Sequence, residues 1–331
     1  MIIKTMAYAR AGLLGNPSDG YYGKTVSVII KNYRANVILY HTPEINIIPN
    51  KRDHSRFRSM AELVSDVRLN SYYGGIRLIK ASIKVFYEYC TQNNIVLDNR
   101  NFTIEYNSNI PRQVGMAGSS AIITAVFRAL ISFYQVDIPK PILPNLILSV
   151  ETRELNIGAG LQDRVIQTYE GVVFMDFDKK FFDKNGHGIY EELPADSLPG
   201  LYAAYRTDIA EVSGKVHNNI KERFELGDRK IISAMKKFAE IAAQGKSAIL
   251  EKKYDKVSEL INKNFDLRRS LYNIDDKNVQ MVETARSCGA SAKFSGSGGA
   301  VIGICPNEKT YKKLQKKLGE IGIKVFRPKV A

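Results

Sequence analysis

A glycine- and serine-rich loop that runs directly into an apolar helix is the most constraining feature of this sequence. It lies within residues 109–130, NIPRQVGMAGSSAIITAVFRAL. Gly115 and Gly118 let the backbone approach a ligand without a Cβ in the way, and the amides that follow lie at the positive end of a helix dipole. Ser119 and Ser120 add hydroxyls that can cap a helix or ligate Mg²⁺. The junction is a candidate phosphate site, although the same pattern also serves as an ordinary helix cap.

The amino-acid composition of the chain is typical of a soluble globular protein. The 331 residues are enough for two domains, and 44% apolar with 25% charged residues is ordinary for such a chain. The three cysteines are far apart and form no metal-ligand pattern with the four histidines, so no structural metal is expected. No apolar run reaches the about 18 residues that a membrane helix needs. We therefore expect a cytoplasmic protein with no membrane partner.

The net charge of +14 suggests nucleic acid as a possible partner. However, the basic residues are spread along the chain, and the densest groups, in residues 51–58 and 309–317, are typical of a loop and a solvated helix face. No nucleic-acid-binding motif accompanies them. A positive field equally favours small anionic substrates, so no nucleic-acid partner is expected.

Hydrophobic periodicity predicts an α+β chain. Alternating residues predict strands, near residues 2–10, 26–30, 35–39, 102–106, 172–177, 201–206 and 324–327, and a strand-turn-strand unit in 291–305. Helical spacing predicts helices, near residues 72–89, 118–134, 145–156, 228–244, 248–271 and 277–288. Residues 11–23 are expected to be an irregular loop, and a turn is expected near Asn32. The polar stretch 179–199 predicts a boundary between domains of residues 1–190 and 191–331.

Three glycine-containing segments follow one another along the chain. They are AYARAGLLGNPSD at residues 7–19, PRQVGMAGSSA at 111–121 and KFSGSGGA at 293–300. Their order and types resemble the three motifs of the GHMP kinases, the superfamily of small-molecule kinases that includes galactokinase and mevalonate kinase. The resemblance spans most of the chain. It implies an N-terminal domain like domain 2 of ribosomal protein S5 and a ferredoxin-like C-terminal domain, with the active site in the cleft between them.

Two carboxylates extend the resemblance. Glu151 precedes Asp163 by 12 residues, as in galactokinase-type enzymes, and GAGLQD at 158–163 is similar to the GxQD of sugar 1-kinases. The combination of RAGLLGNPSD, IPRQVGMAGSSAI and GAGLQDRV is most similar to the glucuronokinase subgroup, which phosphorylates the anomeric hydroxyl of glucuronate with ATP. Asn16 and Pro17 stand where galactokinase has a Glu-His pair that touches its sugar, which disfavours galactose.

The resemblance implies a role for each motif residue. Asp163 would accept or orient the proton of the sugar hydroxyl, and Arg10 would stabilise the transferring group and keep Asp163 in its charged form. Mg²⁺ would be held by Ser120 and Glu151. ATP would contact the second and third motifs, at Pro111, Gly115, Ala117, Gly118, Ser119, Ser120, Ala121, Gly296 and Gly298. The sugar or uronic acid would contact Asn16, Asp19, Gln162 and Gly298.

Several alternatives stay open at this point. Ser119 and Ser120 are not distinguished as helix cap and metal ligand, and Arg10 also suits a structural ion pair. A uronate carboxylate requires a cation, and Arg112, Arg164 and the basic loop Lys51–Arg58 are candidates by position. Another sugar 1-kinase, for a hexose, heptose or fucose, is the alternative within the family. A non-catalytic sensor or nucleic-acid binder is the alternative outside catalysis, but it would be expected to lack some of Arg10, Ser120, Glu151 and Asp163, which are all present.

Overall fold

The computed structural model describes residues 1–50, 74–194, 198–207 and 220–330, which form two β-sheets with helices packed against them. The strands of these residues are β1 (Ile2–Leu14), β2 (Lys24–Thr42), β3 (Asn46–Ile48), β4 (Asn101–Ser108), β5 (Val172–Asp176), β6 (Ile189–Leu193), β7 (Leu201–Arg206), β8 (Lys293–Phe294), β9 (Ala300–Ile304) and β10 (Ile323–Phe326). The α-helices are α1 (Gly75–Gln92), α2 (Gly118–Tyr134), α3 (Leu143–Ser149), α4 (Gln162–Tyr169), α5 (Lys179–Asn185), α6 (Ile220–Glu225), α7 (Arg229–Leu250), α8 (Tyr254–Arg269), α9 (Asp276–Ser287) and α10 (Glu308–Gly319).

The larger sheet is organised around the long strand β2. This strand pairs antiparallel with β1 along one edge, and along its other edge with β4 through residues 35–42 and with β5 through residues 24–28. Strand β3 extends the sheet beyond β4, and β6 extends it beyond β5. The apolar helix α2 packs on β1 and β2 with Phe127 and Leu130 buried. Because α2 is fixed to the sheet, the glycine loop at its N-terminus is fixed as well.

Strand β2 is continuous where the sequence predicts a turn near Asn32. Its register with β1 shifts at this point, so that residues 31–33 form a bulge. The C-terminal segment holds the bulge: the Lys31 amide donates to the Lys329 carbonyl at 2.8 Å, and Asn32 Nδ2 donates to the Arg327 carbonyl at 3.1 Å. The interrupted alternation therefore marks a β-bulge, not a turn.

Strand β1 is longer than the predicted strand over residues 2–10, because it continues to Leu14. Ala11, Leu13 and Leu14, which the sequence places in an irregular loop, are fully buried strand residues. The loop proper is shorter and turns through a 3₁₀ helix at Ser18–Tyr21. The first motif thus begins on a core strand, which holds Arg10 in a fixed position.

The smaller sheet is antiparallel, with the strand order β10-β7-β9-β8. In chain order it reads as β7, helices, β8, β9, a helix and β10, which is the split βαβ arrangement of ferredoxin-like folds. Phe265, Met281 and Leu314, from three of its helices, pack in one apolar cluster with the strands. This is the topology expected for the C-terminal domain. No helix within the four described ranges is long and apolar enough to cross a membrane.

Residues 179–199, predicted as a polar boundary, contain α5 and β6. Strand β6 pairs antiparallel with β5, so the larger sheet extends to Leu193 and the smaller sheet begins at Leu201. Three residues of the intervening stretch, 195–197, lie outside the described residues. We therefore infer that the change of domain falls between Leu193 and Leu201, a few residues after the predicted position.

Gly245 does not end a helix, although the sequence predicts separate helices at 228–244 and 248–271. Helix α7 continues through it to Leu250. Gly245 lies against the buried Leu14, and a Cβ at this position would collide with Leu14 Cδ1. The glycine is required by close packing of α7 on β1, which sequence periodicity does not reveal.

We expect Gly245→Ala to lower the free energy of unfolding by about 1–3 kcal/mol, because overpacking against Leu14 outweighs the gain in helix propensity. Gly319→Ala is the matched control, since no atom lies within 4 Å of a Cβ there and Gly319 is also helical. Thermal unfolding of both variants checks the prediction. A Gly245→Ala protein as stable as Gly319→Ala would contradict it.

Candidate active site

Arg10 joins the three motif regions through its guanidinium group. Its Nε and Nη2 donate to the two carboxylate oxygens of Asp163 at 2.6 and 2.7 Å. Its Nη1 donates to the Gly115 carbonyl at 2.6 Å and to the Ser295 carbonyl at 3.1 Å. Four of the five N–H donors of the side chain are thus engaged, and Arg10 is 5% exposed. The first motif, the second and third glycine loops and Asp163 therefore meet at one side chain.

The second glycine loop presents free amides at the N-terminus of α2. Gly115 and Ala117 both have positive φ, of 68° and 60°, so the chain turns sharply before the helix. No acceptor among the described residues is within hydrogen-bond distance of the backbone amides of residues 115–120, whereas the Ala121 amide donates to the Ala117 carbonyl at 3.2 Å. These free donors and the helix dipole form an anion-binding cradle. Pro111 lies half-buried at the start of the loop.

The third glycine loop lies directly against the second. A Cβ at Gly115 would lie 2.9 Å from the Gly298 carbonyl, and a Cβ at Gly296 would collide with the Gly115 carbonyl. Asn278 on α9 holds the far end of the third loop, since its Oδ1 accepts from the Gly299 amide at 2.9 Å. The two predicted nucleotide loops are therefore brought together, and glycine is required at their contact.

The two neighbouring serines have different positions. Ser119 Oγ donates to Glu151 Oε1 at 2.7 Å. Ser120 is 1% exposed, and its hydroxyl donates back to the Ala117 carbonyl at 3.2 Å. Glu151 lies in a π-helical turn, Val150–Glu154, which follows α3, where helical spacing predicts an ordinary helix. The structure thus brings Ser119, and not Ser120, to Glu151.

Arg164 connects the two carboxylates. Its Nη2 forms a buried ion pair with Glu151 Oε2, and its Nη1 donates to the Gly160 carbonyl at 2.8 Å and lies 3.5 Å from Asp163 Oδ2. The side chains of Arg164 and Glu151 are both 3% exposed. Each charge compensates the other in a site where an unpaired charge would be costly. Arg164 therefore fixes the distance between Glu151 and Asp163.

The residues predicted to bind sugar surround Asp163. Asp19 Oδ2 accepts from the Gln162 amide at 3.4 Å, and it lies so close to Gly160 that a Cβ there would collide with it. The Gln162 side chain is buried against Gly12, and its Oε1 is a buried acceptor without a hydrogen-bond partner among the described residues. Gln162 thus contributes to this region through its backbone amide, which holds the Asp19 carboxylate, while its side chain packs against the first motif.

Asn16 is held by the second domain. Its Oδ1 accepts from Lys293 Nζ at 2.6 Å, and its carbonyl accepts from Asn264 Nδ2 at 3.2 Å. Lys293 is 1% exposed and also donates to the Gly12 and Phe294 carbonyls, so three oxygens satisfy its ammonium group. Burial and the charges of two nearby arginines lower the pKa of Lys293. The sequence did not predict a role for either residue: Lys293 is the first residue of the third motif but was given no function, and nothing local marks Asn264.

The basic residues predicted as candidates to bind a uronate carboxylate lie in different environments. Arg164 is engaged with Glu151 and Gly160, and Arg112 lies exposed near the start of the second loop. The basic loop Lys51–Arg58 lies outside the described residues. Another cation, Arg268 on α8, adjoins the site and donates to the Gly296 carbonyl at 2.9 Å. It was not a candidate from sequence, since it follows an ordinary helical pattern.

Comparisons with known proteins identify the family of this chain. The family model of the GHMP kinase N-terminal domain matches residues 77–171, and the model of the C-terminal domain matches residues 246–324. The chain belongs to the GHMP kinase family. It is 44% identical over 318 residues to glucuronokinase 1 of Arabidopsis thaliana, covering 94% of this chain and 87% of that protein. It is 45% identical over 320 residues to probable glucuronokinase 2 of the same plant, covering 95% and 87%.

Solved structures support the same fold for this GHMP kinase. Galactokinase of Lactococcus lactis in complex with galactose superposes with a TM-score of 0.77, covering 99% of this chain and 93% of that chain at 13% identity. The predicted family and the two-domain α+β fold are confirmed. The roles of the individual site residues stay predictions.

Asp19 gives the site a testable pH dependence. Burial, and after it the charge of Asp163, raise its pKa from 3.8 to about 6. An acid with a raised pKa in the folded state stabilises the fold below its unfolded pKa and loses this contribution as the pH rises through 6. Asp19→Asn should therefore leave stability near pH 4 unchanged and increase it at pH 8, by at most about 3 kcal/mol.

Thermal unfolding of the wild type and Asp19→Asn between pH 4 and pH 8 measures this difference. A stability difference that does not change with pH, or one that shrinks as the pH rises, would contradict a raised pKa for the half-buried carboxylate of Asp19.

Proposed function

We propose that this GHMP kinase is an ATP-dependent glucuronokinase that transfers the γ-phosphoryl group to the anomeric hydroxyl of glucuronate, giving glucuronate 1-phosphate and ADP. The observation that carries the proposal is Asp163, held by Arg10 at the meeting point of two glycine loops. The relatives that share 44% and 45% identity over most of their length are a glucuronokinase and a probable glucuronokinase. The choice of glucuronate as substrate rests on these relatives, and the proposed reaction rests on the geometry of the site.

The nucleotide binds along the second glycine loop. The free amides of residues 115–120 and the N-terminus of α2 supply donors and positive potential for phosphate oxygens. The third loop lies against the same place, because Gly296 has no Cβ to collide with the Gly115 carbonyl and Gly115 has none to crowd the Gly298 carbonyl. Such preorganised donors stabilise the charge that develops during phosphoryl transfer without further reorganisation.

Mg²⁺ fits the donor set beside this cradle. Ser119 Oγ and Glu151 Oε1 are oxygen atoms 2.7 Å apart beside the start of α2, and Mg²⁺ is commonly held by one or two protein oxygens together with substrate phosphates. We infer that Ser119 and Glu151 would hold the ion, in place of the predicted Ser120. When bound, Mg²⁺ supplies charge neutralisation of the phosphates. Arg164 keeps the other oxygen of Glu151 occupied and so fixes the orientation of the carboxylate.

Asp163 acts on the sugar hydroxyl. As the anomeric oxygen bonds to the γ-phosphorus, its proton passes to the Asp163 carboxylate and the bond to the ADP oxygen breaks. Arg10 donates to both carboxylate oxygens, which fixes the direction of their remaining lone pairs. With four donors engaged in the protein, Arg10 serves mainly to position Asp163 and the two loops.

The sugar ring lies between Asp19, Asn16 and Gln162. Asp19 accepts hydrogen bonds from hydroxyl groups, and Gln162 positions that carboxylate through its backbone amide. Lys293 holds the Asn16 Oδ1, so the Asn16 amide nitrogen is directed away from Lys293 and can donate.

We propose a cytoplasmic location for the enzyme, as expected from the sequence.

Asp163→Asn is expected to lower kcat about 10²- to 10⁴-fold on glucuronate, because the proton acceptor is lost while the side chain keeps its size. Asp183→Asn is the matched control, since that carboxylate is 59% exposed and its ion-pair partner among the described residues is Lys179 on the surface of α5. The turnover of both variants is measured as ADP release in the presence of ATP, Mg²⁺ and glucuronate. Parallel assays replace glucuronate with galacturonate, galactose, fucose or mannoheptose.

Equal turnover by Asp163→Asn and the wild type would exclude Asp163 as the proton acceptor. Turnover of another sugar in preference to glucuronate would support kinase activity but would exclude glucuronate as the preferred substrate. If no sugar releases ADP above the level without sugar, catalysis is rejected for this panel, and binding of nucleic acid at several salt concentrations becomes the relevant measurement.

A further inference from the structure

Arg268 is a cation beside the site that forms no ion pair with a carboxylate of the described residues. Its Nη1 and Nη2 donate to the carbonyls of Gly296 and Ser297, at 2.9 and 3.3 Å. These two bonds use two of the five N–H donors of a guanidinium group. Carbonyl oxygens satisfy donors but do not neutralise charge, so the positive charge of Arg268 is available to an anionic ligand.

Two other arginines at the loops are already paired with carboxylates, and Arg112, at the start of the second loop, is exposed to solvent. Arg10 is paired with Asp163, and Arg164 is paired with Glu151. Among the carboxylates considered at the site, Asp19 is left without an ion pair, and Lys293 and Arg268 are the two cations without one. Lys293 is fully engaged by three oxygens. Arg268 is therefore the cation of this group that is both unmatched in charge and equipped with spare donors.

Arg268 is also held in position next to the sugar-binding loop. Asn264, one helical turn earlier on α8, accepts from the Gly15 amide at 2.6 Å and donates to the Asn16 carbonyl, which fixes α8 against the first motif. The guanidinium group lies over the rings of Tyr272 and Phe294, at 5.3 and 5.4 Å from their centroids. Burial lowers the pKa of Arg268, and Tyr272 and Asp19 oppose this effect. The planar group is thus oriented before any ligand arrives.

We propose that Arg268 binds the carboxylate of the uronic acid substrate. The proposal rests on the proposed function, because it names the residue that would select a uronate within the same site. A carboxylate matches the flat, forked donors of arginine. The carboxylate of Asp19 would repel the substrate carboxylate and accept its neutral hydroxyl groups. Asp19 and Arg268 together therefore orient the sugar, with the anomeric hydroxyl at Asp163 and the carboxylate at α8.

The test compares glucuronate with glucuronamide, in which a neutral amide replaces the carboxylate. In the wild type, kcat/KM should be higher for glucuronate than for glucuronamide by about 10- to 100-fold, the range expected for a charge-assisted hydrogen-bonded pair. Arg268→Gln should lower kcat/KM for glucuronate by a similar factor and leave the value for glucuronamide nearly unchanged. Arg269→Gln is the control, because that neighbouring side chain is 52% exposed and pairs with Glu283.

Each other outcome overturns part of the account. If wild-type enzyme uses acid and amide equally well, no cation recognises the carboxylate, and the proposal fails while the kinase stands. If Arg268→Gln lowers kcat/KM equally for both sugars and raises KM for ATP, Arg268 only braces the third glycine loop. If the wild type does not phosphorylate glucuronate at all, the proposed function itself fails.

Arg268→Lys keeps the test decisive if the glutamine variant does not fold. Lysine retains the charge and the long aliphatic chain but not the planar fork. It should lower kcat/KM for glucuronate by a smaller factor than glutamine and retain a preference for acid over amide. A lysine variant that is folded and matches the wild type with both sugars and with ATP would contradict a bidentate contact with the carboxylate.

Discussion

The active site depends on the bidentate contact between Arg10 and Asp163. Arg10 is fixed at its base by the core strand β1, and its guanidinium group reaches Asp163, the second glycine loop and the third glycine loop at once. Burying two charges costs free energy that their attraction does not fully return, so such a pair adds little to stability but strongly determines geometry. The loops and the carboxylate come from separate parts of the chain, and this contact sets their relative position.

Charge is distributed unevenly around that contact. The cradle at the start of α2 is lined by free amides, the carboxylates Asp163 and Asp19 lie beside it, and Arg268 lies against the third loop. In the function proposed above, phosphate groups, sugar hydroxyls and a substrate carboxylate would each have a different electrostatic partner. A substrate that is anionic at one end and reacts at the other would then bind in one orientation, so that a small site combines specificity with positioning.

The sequence predicts those parts of the site that depend on local chemistry. The loop before α2, the spacing of Glu151 and Asp163 and the third glycine loop are contiguous patterns, and the structure brings all of them together. Lys293, Asn264 and Arg268 are not predicted, because their positions follow from packing of the second domain on the first motif. The same reason explains two errors in the fold: Asn32 lies in a bulge held by the distant C-terminal segment, and Gly245 is a packing residue opposite Leu14. Ser119 and Ser120 differ by one position on a helix, and their roles depend on where Glu151 lies.

A crystal structure of the enzyme with ADP, Mg²⁺ and glucuronate would test the central claim most directly. The account predicts that the anomeric oxygen lies within hydrogen-bond distance of the Asp163 carboxylate while both bonds from Arg10 to Asp163 are retained. It would be contradicted if a different sugar atom occupied that position. It would equally be contradicted if Arg10 left Asp163 to bind phosphate, since the ion pair would then not be what holds the site together.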